Sequence, residues 1–326
     1  MRNIYLDYNA TTPIDTRVLD SMLPYLREEY GNPSSGHLLG QRAKVAIDGS
    51  RSQVASLIGC ESEEVVFTSG GSESNNLAIK GVTSGAKLLG LHGNHIITSS
   101  IEHPSVSKTL QSLKKQGFSI TTVPVDNLGL IDPTKVAEAI TPGTILITIM
   151  HANNEVGTIQ PITEIAELAR NQRILFHTDA AQSAGKIPAT VNDLGVDLLT
   201  IAGHKLYSPK GVGALFIRQD TLLEPLIHGA GHESGRRAGT ENVAGIVGLG
   251  TACAIATKEL DVYQSNILSL RERLHHGVLS LTPHAVLNGH LQRRLPNTLN
   301  ISFRGYDGSN LLERLENISA STGAAC

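Results

Sequence analysis

The sequence predicts an α/β protein in which a mostly parallel sheet is sandwiched by helices, with a smaller α+β domain beside it. Two observations predict this class. Short β-branched runs alternate with amphipathic, helix-like stretches through the middle of the chain, as expected for parallel strands joined by crossover helices. After about residue 250 the alternation stops, and a long helical pattern is followed by an isolated strand and a short helix.

The alternating region supplies the elements of the sheet in order. Its strand-like runs are 64–68, 95–98, 119–123, 144–149, 174–177, 197–201 and 213–217. The helix-like stretches between them include 72–81, 105–117, 133–140 and 162–171. A loop too short for a helix joins the last two strands, so we expect that pair to be antiparallel.

The segments outside this region predict the domain organisation. Residues 1–15 read as an extended arm and are followed by a helix through Arg27. A glycine-rich loop at 229–239 leads into a helix from about Thr240 to about Val278, before a strand at 295–303 and a helix at 309–315. We predict an N-terminal arm and part of the small domain over 1–15, a large domain over 16–250 and a small domain over 251–326.

Composition limits the classes of function. Of the 326 residues, 40% are hydrophobic and 17% charged, which is ordinary for a soluble globular protein. The formal charge of −3 gives no electrostatic reason to expect nucleic acid or an anionic membrane as a partner. No apolar run reaches transmembrane length, and the first residues contain no signal-peptide core, so no membrane association is predicted.

The cysteines and histidines indicate the compartment and the absence of a metal site. Cys60, Cys253 and Cys326 are few, odd in number and far apart, which favours a reducing, cytoplasmic environment over a disulfide framework. His228 and His232 have the spacing of helical metal ligands, but they lie in the glycine-rich loop. Since there is also no Cys-x-x-Cys pair, we predict no metal site.

An amine and a carboxylate follow neighbouring strands. Lys205 comes just after the strand at 197–201, and Asp179 follows the strand at 174–177. Ligands of open α/β sheets bind at the carboxyl ends of the strands, so both groups can reach one cleft. This is the pair that a pyridoxal phosphate enzyme needs: the amine forms a Schiff base with the aldehyde, and the carboxylate keeps the ring nitrogen protonated.

Other motifs at strand ends allow both a functional and an ordinary interpretation. The turn at 68–76 can bind phosphate at a helix start, or can be a βα turn with a serine cap. His103 can stack on an aromatic ring and move protons, or can be a loop residue before Pro104. Asn153 and Asn154 can bind a ligand or form a turn. Together the strand-end residues suit one ligand: Ser72, His103, Asn154, Asp179, Gln182 and Lys205.

These residues together resemble the cysteine desulfurase family, within the class V aminotransferase group of pyridoxal phosphate enzymes. The resemblance spans the chain and implies an aminotransferase-like large domain. Its motifs are 5–12, 31–35, 70–76, 102–103, 153–157, 179–182, 203–205, 237–242 and 321–326.

The resemblance implies a role for each residue near the ring of pyridoxal 5′-phosphate. Lys205 would form the Schiff base, and Asp179 would pair with the pyridinium nitrogen. Gln182 and Asn154 would contact the ring oxygen, with Asn154 also near the substrate carboxylate. His103 would stack on the ring and transfer protons.

The resemblance also implies the residues that hold the phosphate and accept sulfur. Gly71, Ser72 and His204 would bind the phosphate, and Thr240 would reach the phosphate of a second subunit, which implies a homodimer. Cys326 would be the nucleophile that takes sulfur from the substrate.

The implied activity is conversion of L-cysteine to L-alanine with a persulfide on Cys326. The sulfur would pass to an acceptor or scaffold protein, for iron–sulfur cluster assembly or thio-modification. The alternatives are a selenocysteine lyase, another class V aminotransferase or lyase, and a catalytically impaired cofactor-binding subunit.

The chain departs from the family pattern in two places. Ala202 stands where the family often has a serine that binds phosphate. Family members continue past the cysteine motif and include an arginine that binds the substrate carboxylate, whereas this sequence ends at Cys326. The small domain is therefore expected to be truncated, and that arginine is not assigned.

Overall fold

The computed structural model describes residues 3–88, 93–282 and 284–323, and a seven-stranded sheet lies at its centre. The strands are β1 (Ile4–Tyr5), β2 (Val65–Thr68), β3 (His95–Ser99), β4 (Ser119–Val123), β5 (Thr144–Thr148), β6 (Leu175–Asp179), β7 (Leu198–Ala202), β8 (Gly213–Ile217), β9 (Ala285–Asn288), β10 (Asn300–Phe303) and β11 (Ile318–Ser319). The helices are α1 (Thr16–Arg27), α2 (Leu38–Ile58), α3 (Gly71–Leu88), α4 (Pro104–Lys114), α5 (Pro133–Ala139), α6 (Ile162–Asn171), α7 (Val191–Leu194), α8 (Val243–Leu281) and α9 (Gly308–Glu313).

The order of strands in the central sheet is β2-β8-β7-β6-β5-β3-β4. Neighbouring strands are parallel except where β8 pairs with β2 and with β7. This arrangement confirms the predicted mostly parallel sheet and the predicted antiparallel pair at its short loop. It also brings the carboxyl ends of β2, β3, β5, β6 and β7 to the same edge of the sheet.

Helices cover both faces of the sheet, and a separate hydrophobic cluster fills each interface. Because successive residues of a strand point to opposite faces, Leu215 and Phe216 of β8 belong to different clusters. Phe216 packs in the cluster that α1, α2, α6 and α8 share, and Leu215 in the one that α3 and α4 share. The sheet edge that carries the site is therefore held from both sides.

The helix α8 is long and packs against α1 and α2. By length and composition α8 could cross a membrane, which differs from the prediction that no apolar run reaches that length. Half of its most apolar 18-residue stretch is buried inside the protein. A side chain at Gly250 would meet Cα of Ser50 at 2.7 Å, so the two helices touch along their backbones. The predicted domain boundary at residue 250 falls inside this helix, and the domain division stays a prediction.

The elements outside the central sheet differ most from prediction. The helix α2 was missed, although its buried residues Ala43, Ile47, Val54 and Ile58 have helical spacing. The predicted strand at 295–303 is wrong in its first half: β10 covers only Asn300–Phe303 and pairs with β9. Pro296 has no N–H to contribute to a ladder, so the segment before β10 forms a turn instead.

The extended N-terminal arm is tied to the far end of the described chain. Its strand β1 pairs in parallel with β11, with Ile4 opposite Ile318. Further along the arm, Asn9 Nδ2 donates a 3.0 Å hydrogen bond to Thr298 Oγ1. The arm therefore contacts residues of the predicted small domain, Thr298 and Ile318, before it reaches the sheet.

Candidate active site

A cavity of about 490 Å³ opens at the carboxyl edge of the central sheet. Residues that follow five strands line it, together with Ala10 and Thr11 of the arm. The predicted site residues that it brings together are Gly71, Ser72, His103, Asn154, Asp179, Gln182, His204 and Lys205. Thr240 is exposed and does not line the cavity of its own chain, and Cys326 lies outside the described residues.

Lys205 ends a short 3₁₀ turn, Gly203–Lys205, that directly follows β7. Its Nζ donates hydrogen bonds to the carbonyl oxygens of Asn9 and Ala10, the second at 2.8 Å. Nε2 of Gln182 donates to the same Asn9 oxygen at 2.9 Å. The arm therefore closes the cavity at the lysine end.

Asp179 is the last residue of β6 and is nearly buried. Its Oδ1 accepts a 2.9 Å bond from the Ala181 N–H, and its Oδ2 accepts a 2.7 Å bond from Asn75 Nδ2. These two donors fix the plane of the carboxylate at the cavity wall. One cavity therefore contains an acidic group that is fixed by hydrogen bonds and a primary amine.

His103 is the N-cap of α4, and its ring is fixed by the residue two positions later. The Ser105 N–H donates to His103 Nδ1 at 3.1 Å, while the Ser105 hydroxyl lies 2.7 Å from the same nitrogen. Because Nδ1 accepts from a backbone donor, the neutral ring carries its proton on Nε2. That nitrogen is the atom through which His103 can exchange protons.

Asn75 is a site residue that the sequence analysis missed. Besides Asp179, its Nδ2 contacts Ser105 Oγ at 2.8 Å, so one buried amide joins the carboxylate to the turn that fixes His103. It lies one helical turn after Gly71 in the 68–76 motif. That spacing places Asn75 on the same face of α3 as Gly71. Its hydrogen-bond partners, Ser105 and Asp179, lie 30 and 104 positions away in the sequence.

The other end of the cavity begins at the N-terminus of α3, whose first N–H groups have no acceptor within the helix. A β-carbon at Gly71 would stand 3.1 Å from Cβ of Ala202, so the end of β7 packs directly against this helix start. Burial, together with nearby Lys205, lowers the pKa of His204 to about 4. His204 is therefore a neutral hydrogen-bonding group at pH 7.

Known proteins match the chain over its whole length. Residues 4–326 match the family described as Aminotransferase class-V. A cysteine desulfurase IscS of Dictyoglomus turgidum is 49% identical over the whole chain, which spans 82% of that relative. One from Methanosarcina thermophila is 48% identical over 99% of the chain and 80% of the relative, and a mouse cysteine desulfurase is 44% identical over the whole chain and 71% of the relative.

The chain belongs to the cysteine desulfurase family of class V aminotransferases. Solved structures agree with this assignment. A NifS-like protein superposes with a TM-score of 0.92 at 40% identity, over 97% of this chain and 87% of the other. The structure of SspA in complex with cysteine gives a TM-score of 0.87 at 40% identity, over 99% and 90%.

Neither cysteine in the described part of this desulfurase-family chain is suited to nucleophilic chemistry. Cys253 is a completely buried residue of α8, and Cys60 is half-buried after α2. Burial raises the pKa of each thiol to about 12, and for Cys60 the nearby Glu64 adds to the effect. Both thiols stay protonated at neutral pH, whereas sulfur transfer requires a thiolate.

Proposed function

We propose that this chain is a pyridoxal phosphate-dependent cysteine desulfurase, which converts L-cysteine to L-alanine and leaves the sulfur as a persulfide on Cys326. The observation that carries the proposal is that Lys205 and Asp179 line one cavity at the carboxyl edge of the sheet. His103 lines the same cavity. The family relationship supports the same activity.

The residues present fit pyridoxal 5′-phosphate. The cavity offers an amine for the aldehyde, an acidic group for the ring nitrogen, and a helix start for the phosphate. Gly71 lets the start of α3 lie directly against the end of β7, where a β-carbon would crowd Cβ of Ala202 at 3.1 Å. We assign Lys205 as the covalent attachment point, Asp179 to the ring nitrogen, and Gly71, Ser72 and His204 to the phosphate.

When bound, the cofactor supplies a ring that withdraws electrons from the α-carbon of the substrate. The protein residues hold and move the protons. We assign Lys205 Nζ and His103 Nε2 as the groups that take a proton from substrate and return it. Gln182 and Asn154 would bind the ring oxygen, and Asn154 would also contact the substrate carboxylate.

The transfer of sulfur balances without an added oxidant. The thiolate of Cys326 forms a bond to the substrate sulfur while the bond between that sulfur and the substrate β-carbon breaks. The β-carbon takes up a proton, so L-cysteine and the enzyme thiol become L-alanine and an enzyme persulfide. Exclusion of Cys60 and Cys253 as nucleophiles supports Cys326 as the acceptor.

The proposal includes partners and a compartment. Thr240 is exposed directly after the glycine-rich loop, which supports its reaching the phosphate site of a second copy in a homodimer. The persulfide would pass to an acceptor or scaffold protein for iron–sulfur cluster assembly or thio-modification. The few, separated cysteines support a reducing, cytoplasmic location.

The test is the release of alanine and sulfide from L-cysteine in the presence of dithiothreitol. We expect equal amounts of both products from the wild type, and none above background from Lys205→Ala or Cys326→Ser. The matched control, Cys60→Ser, should keep full activity. Equal activity of wild type and Cys326→Ser would contradict the persulfide route, and a much faster reaction with L-selenocysteine would favour a selenocysteine lyase.

A further inference from the structure

A second lysine lies buried directly behind the candidate active site. Lys186 is 2% exposed, and no acidic side chain in the described ranges forms an ion pair with it. It does not line the cavity. Its Nζ instead donates a 3.2 Å hydrogen bond to Oε1 of Gln182, which does line the cavity. A buried ammonium without a counter-ion is costly, so its presence calls for a role.

The backbone around Lys186 is pinned on two sides, so the position of the amine is set by the fold. Nε2 of Gln264 on α8 donates a 2.9 Å bond to the Lys186 carbonyl. Gly185 has φ +71°, and a β-carbon there would meet side-chain atoms of Leu206 at 2.2 Å and Ala256 at 3.0 Å. Only glycine lets this segment pass between the turn after β7 and the helix α8.

The contact with Lys186 decides which way the Gln182 amide faces. Nζ of Lys186 donates in this contact, and in its charged form it can only donate, so the amide oxygen points at Lys186 and the amide nitrogen points away from it. That nitrogen is the one that donates to the Asn9 carbonyl at the cavity. The Asn9 carbonyl can only accept, so it favours the same orientation, and Lys186 reinforces it from the other end of the amide.

While it is protonated, Lys186 also places positive charge near Lys205. Burial lowers the pKa of Lys186 to about 7, and the charge of Lys205 adds to this shift. Lys186 interacts electrostatically with two ionisable groups, Lys205 and His204, both on the turn after β7. The side chain of α8 that contacts Lys186 is the uncharged Gln264. A second cation behind Lys205 disfavours a proton on the Lys205 nitrogen.

We propose that Lys186 is a positioning residue, which fixes the Gln182 amide with its N–H toward the cofactor ring and keeps a positive charge behind Lys205. The inference rests on the proposed function, because it assigns Gln182 to the ring oxygen. It adds a residue that touches neither cofactor nor substrate.

A double-mutant cycle tests the orientation of the amide. The dissociation constant of pyridoxal 5′-phosphate is measured by fluorescence titration of the apoprotein, without substrate, for wild type, Lys186→Met, Gln182→Leu and the double variant. We expect each single variant to bind about tenfold more weakly, and the double variant no more weakly than Gln182→Leu. Lys135→Met, an exposed lysine on α5, is the control and should bind like the wild type.

The visible absorbance of the bound cofactor tests the charge, since its pH midpoint reports protonation at Lys205 Nζ. Removing the positive charge should raise this midpoint by about one unit in both Lys186→Met and Lys186→Gln. A residue that only fills space would leave the midpoint unchanged. If the methionine variant does not fold, the glutamine variant carries the test alone.

The outcomes separate this inference from the proposed function. A wild type that binds no pyridoxal 5′-phosphate contradicts the proposed function. If the wild type binds the cofactor, two results overturn only the role of Lys186. One is that the losses of cofactor affinity in the double-mutant cycle are additive, and the other is that the pH midpoint of the absorbance is unchanged in the Lys186 variants.

Discussion

At the scale of single residues, the candidate site depends on polar groups that the fold buries. Asn75 is 1% exposed and joins Asp179 to Ser105. Glu102, next to His103, is half-buried, and its carboxyl oxygen Oε2 is enclosed by the protein. Oε1 of Glu102 accepts bonds from the Met150 N–H at 3.0 Å and from Ser99 Oγ at 2.5 Å, which joins the ends of β5 and β3. Burial raises the pKa of Glu102 to about 8, and the charge of Asp179 adds to this shift. The two hydrogen bonds lower the pKa but do not offset the effect of burial.

We predict that Glu102→Gln stabilises the protein at alkaline pH. A carboxyl pKa raised from 4.5 to about 8 means that the folded state holds a proton which the unfolded chain releases. The wild type therefore loses stability as pH rises through this range, and below pH 4.5 the effect is absent. Glutamine keeps the accepting oxygen, so at pH 9 the variant should gain about 2–4 kcal/mol in free energy of unfolding.

Urea unfolding of both proteins at pH 4.5, 7 and 9 is the measurement. Glu138→Gln, an exposed glutamate on α5, serves as the control and should show no growing difference. A constant difference between Glu102→Gln and wild type at all three pH values would refute a buried, protonated Glu102.

At the scale of elements, Glu233 attaches the glycine-rich loop to α2 and to the central sheet. Arg51 of α2 binds Glu233 through two contacts of 2.7 Å, and Glu233 also accepts a 2.8 Å bond from the Phe67 N–H of β2. Glu233 and Ser234 both have positive φ, at 48° and 56°. Such backbone persists in non-glycine residues only where surrounding contacts hold it, so this pair sets the course of the loop toward Thr240.

We predict that Glu233→Gln lowers the free energy of unfolding by about 3 kcal/mol. The substitution leaves Arg51 largely buried without its counter-charge, and loss of one partner of a buried pair is costly. The measurement is chemical denaturation at neutral pH. Glu259→Gln, which breaks the exposed pair with Arg17, is the matched control and should change stability little; an equal loss in both variants would refute the anchoring role.

At the scale of the whole molecule, the cavity is the meeting point of segments from most of the chain. The arm, five strand ends and the turn after β7 all contribute to its wall. A ligand bound there contacts the arm and the sheet together. Its binding energy should therefore stabilise the fold and not only the loops around the site.

We predict that removing pyridoxal 5′-phosphate lowers the thermal unfolding midpoint. At a free concentration one hundred times the dissociation constant, binding adds about 2.7 kcal/mol to the stability of the folded state. Thermal melts of the wild type with and without cofactor measure the difference. Lys205→Ala keeps the phosphate-binding end but lacks the covalent link, so it should gain less; an identical gain would contradict Lys205 as the attachment point.

The sequence by itself determined the order of the strands and helices that build the central sheet, and the chemistry at the strand ends. Alternating β-branched and amphipathic runs predicted the parallel sheet, and a short connecting loop predicted the antiparallel β7–β8 pair, because both patterns are local. The same locality explains why Lys205, Asp179 and His103 could be predicted to share a cleft: the carboxyl ends of parallel strands meet at one edge.

Only the tertiary structure decided which residues support Lys205, Asp179 and His103. Asn75, Glu102, Lys186 and Glu233 act through partners that are distant in the sequence, and no local pattern distinguishes them from surface polar residues. Burial then changes their chemistry: it makes a lysine a weakly basic amine and keeps a carboxyl protonated, because a charge loses its hydration inside a packed core. That environment exists only once the arm, the sheet and α8 have come together.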